Sequence, residues 1–341
     1  MTSSTLPFEL RNGNKFAFLL ISNVHTNLPP EMPAQLSNGA WVLNRYPTSP
    51  DLHWEKMVGE IRFREITEAN LILARVTEGQ SYALTQVDTD AGEELAQLYS
   101  VLQLGGVAEH QAANLAVASV DGDACYIRRL SSIEQFHQTR GYVRIPITIE
   151  RLEHANRLAS SFKSLNCSPM KFGRFGRGLY YLQEGLRQTT GQERLHRFTR
   201  SLEALVLPEP GKTRKQFIQR CQLFALASSA TEAALGQAYD MRSDAEHIHD
   251  WDRSLKNVAA EKPEDVASWR TRQMEALSSF AYTHVLINSH LHSYFENDAA
   301  LLRFWNTLSG ADRAKFWGDR FDLSSVKIAR AYDQWGRGIY A

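Results

Sequence analysis

The chain of 341 residues carries 38 Lys+Arg against 38 Asp+Glu, with 43% hydrophobic and 22% charged residues. This composition excludes a disordered tail, which lacks the apolar surface to offset ordering entropy, and a uniformly basic nucleic-acid coat. The length corresponds to about two domains, and three dispersed cysteines (Cys125, Cys167, Cys221) point to a reducing cytoplasm rather than a disulfide framework. The early apolar run Phe16 to Ile21 is too short to span a bilayer and no small-residue cleavage site follows it, so neither a membrane span nor a signal peptide is expected.

Residues 1–148 read as an α+β domain. Short apolar or alternating runs predict strands at Lys15–Val24, Ala40–Leu43, Ile61–Ile66, Leu71–Val76 and Tyr82–Val87. Turn-formers divide them at Leu28-Pro-Pro, Tyr46-Pro47-Thr-Ser-Pro50 and Asp88-Thr-Asp90. Leu95, Leu98, Val101 and Leu102 predict a helix over Ala91–Gln103, stopped by Gly105-Gly106. Asn114–Val120 and Ala124–Ile127 flank Asp121-Gly-Asp, a hairpin signal. No phosphate-cradling glycine loop and no pair of ligand-spaced His or carboxylates marks a site here, so this half is assigned a sensing or partner-binding role, with a regulatory ligand or partner.

Residues 149–341 read as an all-α bundle with a C-terminal helical extension. Leu195, Phe198, Leu202, Leu205 and Val206 share one helical face, and Pro208-Glu-Pro210-Gly211 ends that helix. The next helix buries Phe217, Cys221, Phe224 and Ala225, with Ser228 continuing its face. Ser229 or Thr231 can cap another, running through Leu235 and Tyr239 toward Asp250. Pro263-Glu-Asp opens a long helix whose face runs from Val266 through Met274, Leu277, Ala281 and Val285 to Leu291 and Phe295. A further helical piece is expected over Ala299–Trp317, then a Gly- and aromatic-containing tail. Trp251, Trp269, Trp305 and Trp317 are read as core or dimer-interface residues.

The overall neutrality hides an asymmetry. Residues 1–150 carry 11 basic against 17 acidic side chains (−6), and residues 151–341 carry 27 against 21 (+6). Within Lys163 to Arg220, 12 basic residues face 4 acidic ones, a local net of +8. Such asymmetry marks modules with different partners, or equally two domains that attract or a solvated face.

The bundle contains Tyr239-Asp-Met-Arg242-Ser-Asp-Ala-Glu-His247-Ile-His249-Asp250, and upstream Phe198-Thr-Arg-Ser-Leu-Glu203-Ala-Leu-Val-Leu-Pro208. These elements resemble the HEPN superfamily of helical bundles, in particular its Apea-like branch. There a Leu-Glu-Ala-Leu helix and a Pro-containing turn precede a Tyr-Asp-x-Arg-Ser helix ending in His. The similarity covers roughly Ile149 to Phe295. It implies a dimeric, metal-independent endoribonuclease with no cofactor, of the kind that serves as a bacterial stress or anti-phage effector. In such a site Arg242 would hold the scissile phosphate, since a guanidinium keeps its proton and presents a planar fork. A histidine would move protons at the ribose 2′-hydroxyl and the leaving oxygen, leaving a 2′,3′-cyclic phosphate.

Family spacing favours His247 as the partner of Arg242. A straight helix at about 100° per residue puts His247 about 140° away, but His249 about 20° and Glu246 about 40° from Arg242. His249 is therefore the second choice. Ser243 follows the motif Arg where many active members carry Asn, Asp or His, and serine can hydrogen-bond a phosphate without serving as a base. Asp244, Glu246, Asp250 and Asp252 surround the motif with negative charge that would repel RNA. The competing reading is structural: Arg242 pairs with Asp240, Glu246 or Glu203. Glu203 then serves as a buried partner before it serves as a catalytic base.

Lys171-Phe-Gly-Arg174-Phe-Gly-Arg177-Gly-Leu-Tyr-Tyr181 interleaves arginines, aromatics and glycines. As a loop it would track phosphates while rings stack on bases; the alternative is a bundle loop whose rings enter the core. With Lys212, Arg214 and Lys215 it forms the candidate RNA-binding set. His247-Ile-His249 and His290-Leu-His292 splay their rings about 160° apart on a helix, so no metal site is assigned.

Overall fold

The computed structural model describes residues 14–22, 24–29, 33–44, 52–78, 83–104, 113–121, 124–133, 146–166, 173–247, 249–255 and 263–326. They form two compact units that divide within one helix, after Ala159. Segment 46–50, Gly105-Gly106, Lys171 and the tail from residue 327 lie outside the described residues.

The first unit runs β1 (Asn14–Ser22), β2 (Ala34–Gln35), β3 (Trp41–Leu43), α1 (Leu52–Val58), α2 (Glu60–Thr67), β4 (Ala69–Glu78), α3 (Gln86–Leu104), β5 (Ala113–Asp121) and β6 (Ala124–Ile133). Its strands pair into one antiparallel sheet in the order β2-β3-β4-β1-β5-β6. The apolar run of β1 suits the centre of that sheet, since the strand is buried from Lys15 to Ser22. Phe16, Phe18 and Leu20 on one face pack with Trp54 of α1 and Ile66 of α2. The alternating residues face α3, where Lys15 Nζ donates to Asp88 Oδ2 at 2.8 Å in a fully buried ion pair. Asp88 also accepts from the Thr85 amide at 2.7 Å, closing the first turn of α3.

Two expected strands are corrected. Ile61–Ile66 lies in α2: Ile66 is fully buried and Phe63 partly so, one helical turn apart, whereas Ile61 is 74% exposed. Tyr82–Val87 is not a strand either, because Ala83–Thr85 is irregular and α3 starts at Gln86. The hairpin is present, with Asp121 opposite Ala124.

The second unit begins in α4 (Ile149–Asn166) and continues through α5 (Gly173–Arg187), α6 (Gly191–Val206), α7 (Thr213–Cys221), α8 (Ser229–Glu246), α9 (Asp252–Leu255), α10 (Pro263–Ile287), α11 (Ser289–His292), α12 (Asp298–Thr307) and α13 (Gly310–Trp317). Helix α6 is the centre of this helical unit, packing against α5, α7, α8, α10 and α12. From α10, Ser278 Oγ donates to the Phe198 carbonyl (3.1 Å) and Tyr282 Oη to that of Ser201 (3.0 Å). Arg194 of α6 and Glu275 of α10 form a buried ion pair at 2.5 Å. Among the described residues no helix is long and apolar enough to cross a membrane.

The structure redraws several helix ends. The helix after Pro210 stops at Cys221; Phe224 and Ala225 are buried beyond it, where Ala225 bridges to Phe321. Ser228 is exposed and caps α8, its hydroxyl accepting from the Thr231 amide at 3.0 Å. Helix α8 stops at Glu246, and α10 stops at Ile287, before Leu291 and Phe295. Ala299–Trp317 is broken into α12 and α13 at the Ser309 cap. Trp305 and Trp317 are core, while Trp251 and Trp269 are partly exposed and donate to the Met241 (2.9 Å) and Val326 (2.6 Å) carbonyls.

Candidate functional site

Helices α6 and α8 present the motif residues to each other. Thr190 caps α6, accepting from the Glu193 amide, and Leu207 ends it in the left-handed region at φ 44 just before Pro208. Arg220 reaches back to this end, donating to the carbonyls of Val206 (2.7 Å) and Leu207 (2.6 Å). That places a cation on the negative pole of α6.

Between the two helices the side chains close a ring of four. Arg242 Nη2 lies 3.3 Å from Glu203 and its Nη1 2.8 Å from Glu246. Arg200 meets the same two acids from α6, at 3.2 Å to Glu203 and 2.7 Å to Glu246. Arg242 is 7% exposed and Glu203 8%, and the Arg242 guanidinium also lies over the Tyr239 ring at 5.6 Å. Burial pushes the Glu203 carboxyl above its ordinary range, against the pull of Arg242 and Arg200. Two guanidiniums and two carboxylates make the ring formally neutral.

Of the carboxylates that sequence reading offered to Arg242, tertiary packing takes Glu203 and Glu246, while Asp240 binds Arg214 through both oxygens (2.7 and 2.8 Å). Glu246 is the residue one helical turn along, as a straight helix requires. His247 caps α8, its amide bonded to the Ser243 and Asp244 carbonyls at 3.2 Å, and the His249 amide bonds the Asp244 carbonyl at 2.8 Å. Both imidazoles are exposed, with centroids 6.2 Å apart. Among the described residues neither ring bonds Arg242. The angle computed for His249 on a straight helix has no meaning beyond the end of α8.

Of the five described members of the candidate RNA-binding set, three are paired with carboxylates. The segment read as a loop is α5 from Gly173 onward, and Arg174 within it binds Asp298 through two 2.7 Å hydrogen bonds. Its glycines serve packing: a Cβ on Gly178 would stand 1.8 Å from Tyr282 Oη, and one on Gly185 2.5 Å from Phe198. Lys212 pairs with Glu209 at 3.1 Å and Arg214 with Asp240, whereas Arg177 and Lys215 face solvent without a described ion pair. The histidines of α11 are each engaged by a carbonyl, His290 with Phe316 (2.9 Å) and His292 with Val285 (3.0 Å).

Two residues of this cluster escaped the sequence reading, Arg200 and His196. They lie one turn apart on α6, and His196, Arg200 and Glu203 follow the i, i+4, i+7 spacing that marks a shared face. His196 is half-buried, and burial first, then the charges of Arg242 and Arg200, hold its imidazole below its ordinary range. A search of protein-family models, curated proteins and solved structures found no match to this chain.

Proposed function

We propose that the helical unit is a HEPN-like bundle that binds a partner rather than cleaving RNA. What carries this reading is the ion-pair ring. A nuclease of the kind implied by the motif needs an arginine free to meet a phosphate and its developing charge. Arg242 instead gives both terminal nitrogens to carboxylates inside the wall of the bundle. An RNA phosphate at Arg242 would also approach Glu203 and Glu246, and that repulsion opposes binding. In this reading the bundle is an interaction module, assembled as a homodimer, that passes on what the first unit senses.

A second reading, endoribonuclease, is favoured by one observation. Burial, then the charge of Arg242, holds the His196 imidazole below its ordinary range, and the Glu246 side chain is 34% exposed, so that arm of the ring can be drawn away by a ligand. RNA would then meet Arg242 with His196 in the same cluster and with His247 and His249 at and beyond the end of α8.

Purified chain incubated with mixed RNA in EDTA separates the two. The binding reading expects no cutting that depends on Arg242, His247 or His249. Cutting by wild type that is lost in folded Arg242→Ala or His247→Ala protein would overturn it in favour of the nuclease, and His249→Ala in parallel would identify the partner His.

A further inference from the structure

A separate cavity in the helical unit gathers positive charge without the acids that close the ring. A cavity of about 350 Å³ is lined by residues of α7, α12 and α13 and by Arg320 beyond them. Among the described residues its lining includes three arginines, Arg220, Arg313 and Arg320, and three glutamines, Gln216, Gln219 and Gln222, but no Asp or Glu. This differs from the surroundings of Arg242, Arg174 and Arg214, where each guanidinium lies 2.7–2.8 Å from a carboxylate.

The arginines are held in place by neutral partners. Arg220 gives Nη1 to the Val206 and Leu207 carbonyls and Nη2 to Asn306 Oδ1 (3.3 Å), and lies 5.4 Å from the Trp305 ring centroid. Arg313 donates to the Trp305 carbonyl at 2.7 Å and also to that of Leu308, and lies 5.7 Å from the same ring. Glu209, 3.9 Å from Arg220, is the nearest described acid to it and is shared with Lys212. Arg320 makes no described hydrogen bond or ion pair. Burial draws the Arg220 guanidinium below its usual range against the pull of Glu209, and the charge of Arg313 adds a smaller push in the same direction as burial. Positive charges thus converge on a partly desolvated cavity with donors left over.

We infer that this cavity takes a small phosphorylated anion, a free phosphate or the phosphate end of a nucleotide. The volume fits a small-molecule site. Guanidinium forks match phosphate oxygens two at a time. Glutamine amides supply neutral donors beside them. A dianion would also relieve the repulsion between Arg220 and Arg313. The inference holds whether the bundle binds or cleaves, because none of its residues belongs to the ion-pair ring.

Titration calorimetry of the full chain with inorganic phosphate, pyrophosphate and ADP, against NaCl at matched ionic strength, tests it. Saturable binding of one equivalent of a phosphate-bearing probe is expected. Arg320→Gln should weaken it by about tenfold or more, with an unchanged circular dichroism spectrum and unfolding midpoint, since Arg320 has no partner among the described residues to lose. Arg313→Lys, which keeps the charge but removes the fork, should weaken it as well. Tighter binding of ADP than of pyrophosphate assigns the phosphate to a nucleotide, and the reverse order to the free anion. No binding of any probe at millimolar concentration, an equal response to chloride, or affinities unchanged in both variants would overturn the assignment.

Discussion

Replacing Arg242 with alanine tests whether that residue holds the bundle together. Arg242 and Glu203 are 7% and 8% exposed, and removing one member of a buried ion pair costs about 3–5 kcal/mol because the other charge stays desolvated. Two features of the ring reduce that loss. Arg200 remains 3.2 Å from Glu203, and burial already raises the Glu203 carboxyl, so the orphaned acid can take up a proton. The Glu246 arm is 34% exposed and adds at most about 1 kcal/mol. The expected cost of Arg242→Ala is therefore about 2–4 kcal/mol, against about 0.5–1 kcal/mol for Glu246→Ala. Arg242→Met combined with Glu203→Met should recover most of it, because apolar side chains of similar volume leave no buried charge. Urea-dependent hydrogen exchange at the α6 and α8 amides reads the helical unit by itself. A loss below about 1 kcal/mol for Arg242→Ala, or a double variant no better than the single one, would refute the architectural role.

Two further predictions concern packing and pH. Gly178→Ala should destabilise the helical unit by about 3 kcal/mol despite alanine's better helix propensity. The new methyl would meet Tyr282 Oη, which the Ser201 carbonyl holds in place, and Ala204; unfolding in urea at the wild-type midpoint would contradict that close approach. In the first unit burial raises the Asp88 carboxyl, but the hydrogen bonds from Lys15 and Thr85 outweigh it and hold the group below its ordinary 3.8. Because the folded value is the lower one, its stabilisation is present above pH about 3.8 and lost as pH falls through the folded value. Asp88→Asn should thus lose about 3–5 kcal/mol near neutrality by stranding buried Lys15, with the gap to wild type closing in acid. A gap independent of pH, read from exchange at β1 amides, would contradict the ion pair.

Sequence by itself determined the elements whose local signals agree with their tertiary setting. The short apolar run of β1 read as a strand and is one, and the Asp121-Gly-Asp signal matches the β5–β6 hairpin. Leucines at three-and-four spacing defined α6, and proline ended it. Local signal failed where two periods fit the same letters. Ile61-Arg-Phe-Arg-Glu-Ile66 alternates as a strand does, yet only Phe63 and Ile66 find apolar surface, so a helical turn wins. The glycines of α5 look like loop residues until Tyr282 and Phe198 are seen filling the space where side chains would stand.

The candidate site depended on tertiary structure most of all. The motif placed Arg242 beside three possible carboxylates and two histidines; helical spacing favoured Glu246, one turn along, but could not show that Glu203 would join it. Glu203 comes from a helix 39 positions earlier in the chain, and Arg200 enters only because α6 packs on α8. Whether an arginine is free for phosphate or bound to acids depends on those long-range neighbours, because a charge buried in the interior must be paired wherever the fold supplies a partner.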